Sequence, residues 1–160
     1  MCGIIGYNGS AKNAKEAIIA GLKNLEYRGY DSAGIALVEN KKVDLYKSQG
    51  KISKLEDSLK DINTNSNIGI GHTRWATHGI PNEINAHPHK VGKVTLVHNG
   101  IIENYAILKN ELISKGVTFK TQTDSEVACA YINYMYEKEL ENNSETPELT
   151  AIIKACKDFR

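Results

Sequence analysis

Two β-like runs, residues 34–38 and 43–47, are joined only by Glu39-Asn40-Lys41-Lys42, a spacing that reads as a hairpin. That hairpin limits what the rest of the chain can build. Around it lie further short strand-like runs at 2–7, 67–73, 94–98 and 117–120. Stretches with helical spacing fall at 11–25, 53–62, 104–115, 123–140 and 147–159. Mixed helices and strands with a hairpin, rather than strict strand–helix alternation, predict an α+β fold. At 160 residues the chain fits one domain, 1–160, with enough length to bury a core without cross-links.

Several local signals sharpen this outline. Ala14, Ile18, Leu22 and Leu25 share one face of the first helix. In the run 67–73, alternation predicts Ile68 and Ile70 to point inward. A long Pro- and His-containing loop is expected from about 76 to 92. Gly116 stands where a helix stop belongs, and Thr123 with Glu126 suggests a capping box. The last helix opens at Thr146-Pro147, and Leu149, Ile152, Ile153, Cys156 and Phe159 form an apolar stripe that needs a surface to lie on.

Composition removes several classes of function. Twenty basic residues against 19 acidic ones leave a net charge of +1, without the basic stripe that nucleic-acid binding needs. No apolar run approaches the length of a membrane-spanning helix, and Met1-Cys2-Gly3-Ile4-Ile5-Gly6, without a charged leader, is not expected to be a signal peptide. Three scattered cysteines, Cys2, Cys129 and Cys156, make no disulfide framework, so a reducing cytoplasm is the expected location.

The chemistry-bearing residues begin with Cys2. Loss of Met1 would place an α-amine and a thiol on one residue, with reference pKa values of roughly 7.7–8.0 and about 8.5. One residue could then supply both nucleophile and base. A small buried apolar side chain on the first strand is the competing reading. His98-Asn99-Gly100 follows a strand, where an Asn amide and a backbone N–H can serve a developing oxyanion, although Asn-Gly is also a common turn. The run 71–79 gathers the only Trp, Trp75, with Arg74, one of three arginines. An Arg there can clamp a carboxylate or simply stack on Trp75 at the surface. Asp124, at a helix start, can complement the helix dipole and also receive a substrate ammonium. The histidines at 72, 78, 87, 89 and 98 lack any metal-binding spacing, so no metal is expected.

Six stretches taken in order carry a resemblance. They are Cys-Gly-Ile-Ile-Gly-Tyr at 2–7, Leu-Glu-Tyr-Arg-Gly-Tyr-Asp-Ser-Ala-Gly at 25–34 and Gly-His-Thr-Arg-Trp-Ala-Thr-His-Gly at 71–79, then Asn-Ala-His-Pro-His at 85–89, Val-His-Asn-Gly-Ile-Ile-Glu-Asn-Tyr at 97–105 and Thr-Asp-Ser-Glu at 123–126. Together they resemble the class II, N-terminal-nucleophile glutamine amidotransferases, most of all the glutaminase domain of their aminosugar-forming branch. The resemblance implies a four-layer αββα sandwich, incomplete at the C-terminus, with the sugar-isomerase domains of the branch absent. It implies that Cys2 attacks the side-chain amide of L-glutamine, with its own α-amine as base. Asn99 and Gly100 would form the oxyanion hole. Arg74 would bind the α-carboxylate beside Thr77 and His78, Asp124 the ammonium, and Trp75 would sit in the closing loop. No cofactor is implied, the ammonia is destined for fructose 6-phosphate in the full-length enzyme, and a dimer is expected only there. The glutaminase of another class II amidotransferase, or a glutamine-binding module without catalysis, are the alternatives.

Overall fold

The computed structural model describes residues 2–28, 30–75, 80 and 82–160. The chain divides into two compact units, residues 1–88 with 96–99, and residues 89–95 with 100–160.

The first unit is built on a four-stranded antiparallel sheet. Its strands are β1 (Gly3–Asn8), β2 (Ser32–Glu39), β3 (Lys42–Gln49) and β4 (Ile68–Arg74), in the order β1-β4-β2-β3. The expected hairpin is β2–β3, and it is longer than the pattern suggested. Glu39 pairs with Lys42, so only Asn40 and Lys41 form the turn, with φ of 50° and 62°. Positive φ at both central residues matches the right-handed twist of a two-residue hairpin, and Asn is well suited to it.

Helices α1 (Ala14–Leu25) and α2 (Ile52–Ser58) cover one face of this sheet. Their buried side chains, Ala14, Ile18, Ile19 and Leu22 with Ile52 and Leu55, meet Ala33, Ile35 and Leu37 of β2. Both helices are shorter than their periodic runs: α1 starts after Asn13, and α2 closes at its C-cap Leu59.

The inward face of β4 corrects the sequence expectation. Ile68 is 41% exposed and Ile70 only half-buried, whereas Gly69, Gly71 and Thr73 are the buried partners on the helix side. Gly71 pairs with Ile5 on one side and Ile35 on the other, leaving a hollow between two large side chains. Ile18 fills it: a Cβ at position 71 would stand 2.4 Å from Ile18 Cγ2 and 3.1 Å from Leu22 Cδ1. The helix therefore lies directly on backbone, and the isoleucines take the opposite face. Ile18 is β-branched on a helix and has little rotamer freedom with which to yield. Gly71→Ala should accordingly destabilise the protein by about 1–3 kcal/mol, the usual cost of overpacking. A lowered urea midpoint with an unchanged m-value would show it, and an unchanged midpoint would refute the packing account.

The second unit holds β5 (His89–Val91) and most of β6 (Val94–Leu96), paired with each other, and helices α3 (Tyr105–Ser114), α4 (Asp124–Glu141) and α5 (Pro147–Asp158). β5 arises at the end of the stretch expected to be loop. Gly92 (φ 55°) turns the chain so tightly against α4 that a Cβ there would stand 2.2 Å from Asn133 Oδ1, which also accepts the Lys93 N–H at 2.9 Å. β6 ends at Leu96, leaving His98 and Asn99 in irregular backbone. Gly116 (φ 87°) stops α3 as expected, and the Val117 N–H returns to the Leu112 carbonyl at 3.0 Å.

Residues 117–120 form no strand. The Lys120 and Thr121 N–H groups donate to the buried carboxylate of Glu126 instead, at 3.0 and 2.7 Å. The capping box is thus half made. Thr123 Oγ1 accepts the Glu126 N–H at 3.2 Å, but the Glu126 carboxylate serves the preceding loop, and the Thr123 N–H donates to Thr121 Oγ1.

The final helix also departs from expectation. Leu149, Ile152, Ile153 and Cys156 are exposed, while Ala151 and Ala155 are fully buried. Small residues one turn apart let α5 approach α4 closely. Lys154 Nζ donating to Glu139 Oε1 at 2.6 Å and Tyr131 Oη donating to Asp158 Oδ2 at 2.9 Å hold that face in place. Of the expected stripe only Phe159 turns inward, with its ring 5.9 Å from that of Tyr131.

Candidate active site

One end of the first sheet brings the chemistry together. Antiparallel pairing sets Gly3 opposite Thr73, and the buried Thr73 hydroxyl accepts the Gly3 N–H at 3.0 Å. Cys2 therefore lies one step beyond the last pair of β1 and β4, where β4 gives out at Arg74 and Trp75. The Trp75 N–H donates to Cys2 Sγ at 3.1 Å. Cys2 is only partly buried, unlike Cys129, which is fully enclosed and whose thiol points at the His89 and Val94 carbonyls. A reachable sulfur at a backbone N–H suits a nucleophile better than a core methyl substitute, since a nucleophile must be open to its substrate.

Asn99 approaches the same residue from the end of the first unit. Its Nδ2 donates to the Cys2 carbonyl at 3.3 Å, and its Oδ1 lies 2.8 Å from His72 Nε2. Gly100 follows with φ of 147°, in the half of conformational space that favours glycine. Arg74 is buried at the end of β4, with one guanidinium nitrogen 4.0 Å from Asp31 Oδ1. Asp31 is itself tied down, its N–H donating to the Arg74 carbonyl at 2.7 Å and its Oδ1 accepting from Ser32 Oγ at 2.8 Å. The Trp75 side chain is exposed.

The first unit thus collects Cys2, Arg74, Trp75 and Asn99. Asp124 belongs to the second unit, where its buried carboxylate accepts the Ile102 N–H at 2.9 Å and the Ser125 hydroxyl at 3.3 Å. Thr77 and His78 lie outside the described residues, as does Met1.

Sequence reasoning gave no part to His72 or Thr73, although both stand in the run 71–79. Alternation along β4 turns Thr73 to the helix side and puts His72 on the face it shares with Arg74. His72 is 1% exposed, and its ring stacks on His87 with centroids 4.2 Å apart. Burial pushes its imidazole down to about 4, outweighing the hydrogen bonds to Asn99 and His98 that favour the charged form. The ring is therefore neutral near pH 7. Its Nε2 faces two oxygens, Asn99 Oδ1 and the His98 carbonyl at 3.2 Å, so Nε2 carries the proton. Nδ1 has no hydrogen-bond partner among the described residues.

Comparison with known proteins follows the same lines. A sequence family described as a glutamine amidotransferase domain matches residues 56–143. Glutamine–fructose-6-phosphate aminotransferase (isomerizing) of Thermococcus kodakarensis is 52% identical over an alignment covering 100% of this chain and 26% of that protein. The corresponding proteins of Fusobacterium nucleatum and Pyrococcus horikoshii are 51% and 57% identical, over 88% and 79% of this chain and 23% and 21% of theirs. The chain spans about a quarter of the length of these curated relatives. Among solved structures, the glutamine phosphoribosylpyrophosphate amidotransferase of B. subtilis, complexed with ADP and GMP, superposes with a TM-score of 0.78 at 24% identity, covering 100% of this chain and 33% of that one. A structure of the allosteric regulatory enzyme of purine biosynthesis gives 0.79 at 23%, with the same coverage. These two likenesses establish a shared fold, in agreement with the α+β class expected from sequence.

Proposed function

We propose that this chain, which belongs to the glutamine amidotransferase domain family, hydrolyses L-glutamine to glutamate and ammonia through a thioester on Cys2. The observation that carries this reading is the convergence on one residue: the Cys2 thiol receives the Trp75 N–H while the Asn99 amide reaches the Cys2 carbonyl.

With Met1 removed, the Cys2 α-amine takes the thiol proton and the thiolate attacks the side-chain amide carbon. Negative charge develops on the amide oxygen, where Asn99 Nδ2 and the Gly100 N–H serve as donors. The tetrahedral intermediate collapses by breaking its C–N bond, and the ammonium of Cys2 protonates the departing amine, so ammonia leaves and a thioester remains. Water, deprotonated by the same amine, attacks the thioester, releases glutamate and restores the thiol. Arg74 holds the α-carboxylate with Thr77 and His78 beside it, Asp124 receives the α-ammonium, and Trp75 belongs to the loop that closes over the substrate. One cation and one anion are what a free amino acid requires.

The names of the relatives favour fructose 6-phosphate as the acceptor of the ammonia in a longer protein, where this domain would work with sugar-isomerase domains and dimerise. Three free thiols fit a reducing, cytoplasmic setting, and no helix among the described residues is long and apolar enough to cross a membrane.

Intact mass of the chain before and after treatment with a glutamine-mimicking diazo ketone tests the reading. Loss of Met1 and a single adduct at Cys2, blocked by glutamine, is the expected result. Retention of Met1, or no adduct despite its loss, would leave a glutamine-binding module without catalysis as the better account.

A further inference from the structure

We propose that His72 is a positioning residue for glutamine hydrolysis, holding the Asn99 amide so that its N–H groups, and not its carbonyl oxygen, face the reacting centre; this rests on the functional reading above.

A primary amide presents a donor end and an acceptor end of nearly equal size, and only its partners decide which end points where. At Asn99 they decide without conflict. The Cys2 carbonyl can only accept, so it requires Nδ2 at 3.3 Å, and His72 Nε2–H can only donate, so it requires Oδ1 at 2.8 Å. Remove the imidazole donor and nothing at the far end opposes rotation of the amide by half a turn. The rotated amide would aim a partial negative charge at a developing oxyanion.

His72 is itself held. Its Nε2–H is shared with the His98 carbonyl at 3.2 Å, one residue before Asn99, so a single ring fixes both the backbone and the side chain of the turn. Its ring lies nearly parallel to His87, with an interplanar angle of 15°. His87 Nδ1 in turn accepts the His98 N–H at 3.3 Å. Gly34 makes room for this arrangement, because a Cβ there would stand 2.2 Å from the His87 carbonyl oxygen. The two histidines thus clamp His98 from its N–H and its carbonyl, with Asn99 projecting beyond.

Three substitutions in the full chain separate positioning from packing. His72→Phe keeps the ring and its stack on His87 but removes Nε2–H. His72→Gln supplies an amide nitrogen at the reach of Nε2, and His72→Asn one only at the reach of Nδ1. His72→Phe and His72→Asn should lower kcat by about 10- to 10²-fold, the scale on which a misplaced group acts, with KM for glutamine within about twofold. His72→Gln should recover most of the loss. Alkylation of Cys2 by iodoacetamide, which passes through no oxyanion, should keep its rate in all three to within about twofold.

Unchanged kcat in folded His72→Phe would overturn the proposal. Equal losses in His72→Gln and His72→Asn would also overturn it, and that pair decides the matter if the phenylalanine variant does not fold. Alkylation falling in step with kcat would mean general collapse of the site and reject positioning as the cause. A wild-type chain with neither turnover nor a Cys2 adduct would defeat the functional reading and this inference with it. Normal wild-type turnover with indifferent His72 variants defeats this inference alone.

Discussion

Cys2→Ala should lower glutamine turnover by on the order of 10⁵- to 10⁶-fold, as deletion of the nucleophile does in other covalent hydrolases. The size follows from what is lost. Alanine can form no thioester, so the route through two moderate barriers closes and only direct attack by water remains. Glutamine affinity should survive, because the proposed function assigns the charged ends of the substrate to Arg74 and Asp124 rather than to sulfur. Calorimetric titration of Cys2→Ala with glutamine against a steady-state ammonia assay separates the two effects. The competing view of Cys2, as a small apolar side chain at the start of a strand, predicts near-normal turnover, since alanine fills nearly the same space. Its partial exposure and its bond from the Trp75 N–H already weigh against that view. Cys129 offers the contrast: wholly buried on α4 against β5, it should tolerate alanine with a loss of stability and no direct effect on chemistry.

The parts of the fold legible in the sequence are those where one physical cause dominates. Helix α1 follows from apolar periodicity, the end of α3 from Gly116, the start of α4 from Thr123, and the β2–β3 hairpin from two strand-like runs around Asn40-Lys41. Misreadings occur where a neighbour far along the chain sets the outcome. Alternation in β4 correctly separates two faces, yet the helix-facing one is the glycine face, because Ile18 needs the hollow that Gly71 leaves. Hydrophobicity alone favours Ile68 and Ile70, since it measures what a side chain gains by burial and ignores what a missing side chain permits. In α5 the same bias selects Leu149, Ile152 and Ile153 over Ala151 and Ala155, although closeness to α4 depends on the alanines.

The candidate site divides in the same way. Cys2, Arg74 and Asp124 stand out as candidates because each is a reactive or charged residue at a strand terminus or a helix start, and Asn99 because it opens an Asn-Gly pair after a strand-like run. Thr73 and His72 do not, because each acts on a residue far away in sequence: Thr73 through the Gly3 N–H, His72 through Asn99 Oδ1. In the sequence His72 is one of five histidines, none with metal-binding spacing. Only the register of β4 against the irregular turn at 98–99 gives it a partner.

Asn99→Ala should lower kcat by about 10²- to 10³-fold, the usual cost of removing one oxyanion donor, while KM for glutamine changes little. The asymmetry between the two constants is the informative part. The ground-state amide oxygen carries only a partial charge, so a donor placed for the tetrahedral intermediate contributes mainly as charge accumulates. The present geometry suits that use. Nδ2 is occupied by the Cys2 carbonyl at 3.3 Å, just beyond the usual range, so exchanging this bond for one to an oxyanion gives up little. Asn99→Asp should be at least as damaging, because it removes the donor and sets a carboxylate where negative charge must develop. That carboxylate would still accept the His72 Nε2–H but would set a second acceptor against the Cys2 carbonyl, so the aspartate variant tests chemistry and position together. Steady-state kinetics of both variants, alongside thermal melts to verify folding, provide the measurement. Wild-type kcat in folded Asn99→Ala would remove Asn99 from the mechanism. A rise in KM without loss of kcat would instead reassign it to holding the substrate, leaving the oxyanion to backbone donors such as the Gly100 N–H.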